Sequence, residues 1–118
     1  MMTDHARRKE LSAQYKQAHP EAGVYILRNN RNGKVLLGST LNLASMRSKL
    51  EFARSTNSLG ALDHRLRNDL LQFGVDAFSL EVLEALQPAP EMTPADIRQE
   101  LATLEQLHRE SFEPKQLY

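Results

Sequence analysis

Gly23-Val24-Tyr25-Ile26-Leu27-Arg28-Asn29-Asn30-Arg31-Asn32-Gly33-Lys34-Val35-Leu36-Leu37-Gly38-Ser39-Thr40 is the stretch on which the rest of the chain is organised. Two runs rich in Val, Ile and Leu flank Asn32-Gly33, a dipeptide whose residues tolerate the positive φ of tight hairpin turns. The stretch reads as two antiparallel strands. Side chains alternate between faces along a strand, so Val24, Ile26 and Arg28 point to one side and Tyr25 and Leu27 to the other. In the second strand Val35 and Leu37 oppose Lys34, Leu36 and Gly38. Apolar residues on both faces predict a sheet covered on both sides.

Upstream, residues 4 to about 18 contain few turn formers and read as a polar helix with Leu11 and Tyr15 on one stripe. It ends before His19-Pro20, because the residue preceding proline is pushed out of the α region. Residues 1–20 thus form a helical extension ahead of a domain over residues 21–118. Its Arg7, Arg8 and Lys9 suit either a phosphate contact or a solvated helix face.

Downstream, Asn42 is placed to cap a helix with Leu43, Met46, Leu50 and Ala53 at helical spacing, stopped by Ser55-Thr56-Asn57-Ser58. A second helix is predicted to carry Leu59, Leu62, Leu66, Leu70 and Phe73 on one stripe and to end at Gly74. Phe78-Ser79-Leu80-Glu81-Val82-Leu83 reads as a third strand. After Gln87-Pro88-Ala89-Pro90, Thr93 is a strong N-cap candidate with Pro94 in the first helical position and Asp96 facing the free amides. The helix it starts presents Ile97, Leu101, Leu104 and His108 on one stripe and runs to about Phe112. The predicted class is α+β: a small three-stranded antiparallel sheet flanked by helices, with the N-terminal helix in addition.

The 118 residues, 41% hydrophobic and 25% charged, suffice for one core and not two. No run of about 18 apolar residues suggests a membrane span, and the first residues lack the apolar segment of a secretory signal, so a cytoplasmic location is expected. The absence of cysteine excludes disulfides, thiolate zinc sites and a cysteine nucleophile. His5, His19, His64 and His108 have no zinc-ligand spacing, and neither a Walker loop nor GxGxxG occurs. Net charge is zero, yet residues 1–59 hold 10 Lys/Arg against 4 Asp/Glu while residues 60–118 hold 5 against 11. Either a basic face from the first half meets phosphate, or the two halves pair within one fold.

Gly-Val-Tyr at 23–25, Asn-Gly-Lys at 32–34 and Leu-Leu-Gly-Ser at 36–39 resemble the signature hairpin of the GIY-YIG nuclease superfamily. The resemblance covers roughly residues 22–118 and extends to Asn42-Leu43, to the segment from Leu70 to Phe78, and to Leu104-Glu105-Gln106. It implies two hairpin tyrosines, an arginine on the following helix and a glutamate on the last helix around one divalent metal, Mg²⁺ or Mn²⁺.

Tyr25 matches the first tyrosine, a proton acceptor or relay. Leu36 replaces the second and has neither proton nor lone pair to offer. The arginine position falls on Met46, with Arg47 next along; a side chain turns by about 100° per helical residue, so Arg47 serves only if the preceding loop absorbs one residue. Glu105 matches the metal ligand, since one carboxylate can hold a largely hydrated Mg²⁺. Lys34 and Ser39 would add phosphate contacts.

The plain alternatives are a core-edge tyrosine, a solvated glutamate and, at His108, a packed histidine. The resemblance implies an endonuclease-like domain that binds DNA and hydrolyses phosphodiesters weakly, with an incomplete catalytic set. The alternative is an inactive DNA-binding or protein-interaction module with regulatory function. Exposed strand edges in so small a sheet also allow a homodimer.

Overall fold

Strand β1 (Ala22–Asn29) and strand β2 (Val35–Thr40) form the expected hairpin, with Val24 opposite Ser39, Tyr25 opposite Gly38 and Leu27 opposite Leu36. The computed structural model describes residues 20–118; the helix expected over residues 4–18 lies outside them. The turn is wider than a two-residue one, running from Asn30 to Lys34, and within it only Gly33 takes a positive φ, 79°. The asparagines act through their side chains instead. Asn29 Oδ1 accepts from the Arg31 amide and Asn32 Oδ1 from the Lys34 amide, each at 2.9 Å.

Strand β3 (Phe78–Leu86) is longer than the run read from the sequence and pairs antiparallel with the other edge of β1, giving the order β2-β1-β3. Val24 pairs with Glu84 but Tyr25 with Val82, so β3 carries one extra residue there. Such a bulge turns neighbouring side chains of the longer strand toward one face. Leu83 packs beneath Val24 and Ile26 on that face, where Glu84 also meets His108 at 3.4 Å.

Helix α1 (Leu43–Thr56) starts where expected: Asn42 Oδ1 accepts from the Ser45 amide at 3.0 Å. It ends with Asn57 in the left-handed region, φ 53°. The second predicted helix is a correction. Residues 59–66 form two short 3-10 turns, and only α2 (Arg67–Phe73) is α-helical. The break lies at Leu62, which is extended, and Asp63, which is not helical, because the Asp63 carboxylate captures the Arg65 amide and guanidinium and so competes with helical hydrogen bonding. Leu62, Leu66 and Leu70 are nonetheless buried.

Helix α3 (Pro94–Arg109) carries the expected capping box: Thr93 Oγ1 accepts from the Asp96 amide at 3.1 Å, and Asp96 Oδ2 accepts from the Thr93 amide at 3.0 Å. It ends at Arg109, short of the Phe112 expected from the sequence. The chain then returns to β2, where Leu117 bridges Val35 in parallel and the Tyr118 amide donates to the Val35 carbonyl at 3.0 Å.

Both faces of the sheet are covered. On the Tyr25 face, Leu27 and Leu36 pack with Leu50, Ala53, Leu66, Leu70 and the fully buried Phe78. Fully burying a side chain such as that of Phe78 contributes about 1.5–3 kcal/mol. On the opposite face Val24, Ile26, Val35 and Leu37 lie under Leu104, Phe112 and Leu117, while Ala22 meets Ile97 and Leu101. The molecule is therefore an α+β fold with a three-stranded antiparallel sheet flanked by three helices. No helix among the described residues is long and apolar enough to cross a membrane.

Candidate functional site

Tyr25 lies mid-strand in β1, facing Gly38 of β2. A β-carbon on Gly38 would stand 2.7 Å from Tyr25 Oη and 2.9 Å from Cζ, so the ring occupies space that any other residue would fill. Beside it is a cavity of about 280 Å³. Its floor is hydrocarbon, from Leu27, Leu36, Met46, Ala61 and Leu62, and its polar groups come from Tyr25, Lys49 and Asp63.

Three separate segments supply those polar groups. Lys49 projects from α1 one helical turn after Met46, which is why the two share a side of the helix. Asp63 sits at the break before α2, where its carboxylate accepts from Arg65 Nε at 3.1 Å and Nη2 at 2.9 Å. This fork of hydrogen bonds holds the Asp63 carboxyl down at about 2 and pushes the Arg65 guanidinium up. Glu105 of α3 stands outside the cavity lining, with its carboxylate accepting from Arg109 Nη2 at 3.0 Å.

The electrostatics tie these groups together. Burial raises the Tyr25 phenol above its ordinary value, and the negative charges of Asp63 and then Glu105 add to the rise, with Arg65 opposing. Tyr25 is accordingly a neutral phenol at ordinary pH, able to donate a hydrogen bond and unsuited to act as a phenolate base.

Of the residues singled out in the sequence, Tyr25 and Glu105 come within electrostatic reach of each other. Arg47 does not join them: it is exposed on α1 and outside the cavity lining, where Met46 and Lys49 stand. The helix therefore keeps the phase in which the expected arginine position is a methionine. Lys34 lies at the hairpin tip, its ammonium 5.8 Å from the centre of the Tyr118 ring. Ser39 is paired with Val24 and so belongs to the sheet face opposite Tyr25.

The cation whose charge reaches Tyr25 is instead Arg65, which the sequence reading passed over together with Lys49 and Asp63. Asp63-His64-Arg65 carried a local signal, an aspartate able to hold the amide two residues on, that was submerged in the leucine stripe.

A divalent metal fits this donor set poorly. Each of the two carboxylates acting on Tyr25 is already held by a guanidinium, and no group of three or more metal-ligating side chains comes together among the described residues. At Glu105 a cation would share the carboxylate with Arg109, whose Nη2 already holds Oε2. No protein-family model matches this chain, nor does a curated protein or a solved structure.

Proposed function

We propose that this chain is a nucleic-acid-binding domain on a GIY-YIG-type scaffold whose catalytic set is incomplete. The observation that carries the reading is the composition of the Tyr25 cavity. Leu36 and Met46, at the positions where phosphodiester hydrolysis would need a phenol and a guanidinium, form its floor, while Lys49 and Asp63, the latter gripping Arg65, stand with the Tyr25 hydroxyl. Lys49 in the lining, and Arg65 held in its fork with Asp63, carry the positive charge that phosphate oxygens need, and a neutral phenol supplies a hydrogen bond. The partner in this reading is DNA, in a cytoplasmic setting. A homodimer would form through the outer edge of β3, which has no strand partner among the described residues.

A second reading, weak hydrolysis with Mg²⁺ or Mn²⁺ at Glu105, has one observation in its favour: the Glu105 carboxylate acts on the Tyr25 phenol. One set of measurements separates the two. Salt-dependent retardation of DNA with no nicking of plasmid supports the binding domain. Cleavage that chelator stops and Glu105→Ala abolishes supports the hydrolase. Absence of both retardation and cleavage sinks both and leaves a protein-interaction module.

A further inference from the structure

The Tyr25 cavity has a polar mouth and an apolar floor, and the two ends suit different parts of a nucleotide. Leu36, Met46 and Leu62 offer no hydrogen bond, so a phosphate seated among them would lose its water without replacement. Phosphate must stay outside the hydrocarbon, where Lys49 and the Arg65 guanidinium that Asp63 holds supply positive charge. The floor instead suits a flat, uncharged body with a polar rim, which describes a nucleobase. At about 280 Å³ the cavity lies at the small end of ligand pockets, suited to one base and not to a base pair. A base inside a duplex is stacked and paired and cannot enter such a cavity; an unpaired one can.

We infer that the Tyr25 cavity takes one unpaired nucleobase of single-stranded nucleic acid, with Lys49 and Arg65 on the adjoining phosphates. This rests on the nucleic-acid reading above and narrows it to the single strand. The aromatic ring of Tyr25 supplies a wall for the base, and its hydroxyl donates to a ring nitrogen or carbonyl oxygen. Hydrocarbon at positions 36 and 46 thus has a role of its own: a tyrosine and an arginine there would place polar groups where the base sits.

The test uses the full chain and fluorescence anisotropy with three probes: an oligothymidylate of about a dozen nucleotides, the same backbone with abasic sites, and the corresponding duplex. The strand is expected to bind about tenfold or more tighter than either of the others. Ala61→Leu narrows the floor and is expected to bring the strand down to the level of the abasic backbone. Met46→Phe repeats that measurement from α1 should the first variant not fold, and the abasic comparison needs no variant. Equal affinity for all three probes, or a folded Ala61→Leu protein with undiminished strand binding, overturns the inference while leaving nucleic-acid binding in place. Binding to none of the three overturns both.

Discussion

Tyr25 and Gly38 face each other across β1 and β2, and the phenol fills the space in which a side chain at position 38 would sit, 2.7 Å from Oη. Gly38→Ala therefore has to displace the ring, a movable side chain, and is expected to cost about 1–3 kcal/mol of stability with a larger proportional loss of DNA binding. Gly23→Ala is the harsher change. Its β-carbon would collide with the Glu84 carbonyl oxygen, a backbone atom in a paired strand, as well as standing 2.8 Å from Leu43 Cδ1. Urea unfolding of both variants checks the order; Gly38→Ala proving the more damaging would refute this account.

Arg47 and Arg65 should behave oppositely toward DNA. Arg65→Ala and Lys49→Ala are each expected to weaken binding and to reduce the salt slope by about 0.9, the loss of one phosphate contact. Arg47→Ala, exposed and away from the cavity, is expected to leave the site's affinity and slope nearly as they were. Titrations at several salt concentrations measure all three, and a slope lowered by Arg47→Ala alone would place the interface elsewhere on α1.

A part-buried network joins the end of β1 to the end of the described chain. The Tyr118 hydroxyl donates to Asp69 Oδ2 at 2.5 Å, and Asn29 Nδ2 reaches both Tyr118 Oη at 3.1 Å and Asp69 at 3.3 Å. The Tyr118 hydrogen bond lowers the Asp69 carboxyl from its ordinary 3.8. Burial, then the Asp69 bond, raises the Tyr118 phenol from 10.0 to about 12.

The signs follow from proton linkage. Asp69 contributes stability above pH 3.8 that is lost as pH falls through its lowered native value. Tyr118 contributes stability below pH 10.0 that is lost as pH rises toward about 12. Tyr118→Phe is expected to cost about 1–3 kcal/mol at neutral pH and to flatten both limbs. Urea midpoints across the pH range test it; an unchanged alkaline limb would count against the network.

Helix α3 depends on its start. Thr93→Ala removes the acceptor for the Asp96 amide and is expected to cost about 1 kcal/mol. Asp96→Ala should add less than its own single effect on top of Thr93→Ala, because the two bonds form one reciprocal box. Thermal unfolding of the singles and the double gives the coupling, and simple additivity would show that the box does not act as a unit.

The sequence resolved what is governed by neighbours in the chain. Alternation in β1 and β2, the caps at Asn42 and Thr93, and the left-handed Gly33 follow from dihedral and hydrogen-bonding preferences acting over a few residues, and the structure agrees on each. The same rules misled where two local preferences competed. From Leu59 to Phe73 the leucine spacing argued for one helix, while Asp63 offered the backbone a nearer partner and broke it. Hydrophobic periodicity survives that break because burial needs only the leucines on the inside, not a continuous helix.

The composition of the Tyr25 cavity was beyond reach of the sequence. Periodicity placed Met46 on an apolar stripe, but only packing of α1 on the sheet decided that Lys49 accompanies it toward Tyr25 and that Arg47 points to solvent. Asp63 and Arg65 arrive from a segment dozens of residues further on, and Tyr118 meets Asp69 across 49 positions. Local propensity fixes the shape of each element within a turn or a strand pair. Which charged side chains finally stand together is decided by how helices rotate to bury their apolar faces, a balance struck over the whole core and written in no single stretch of it.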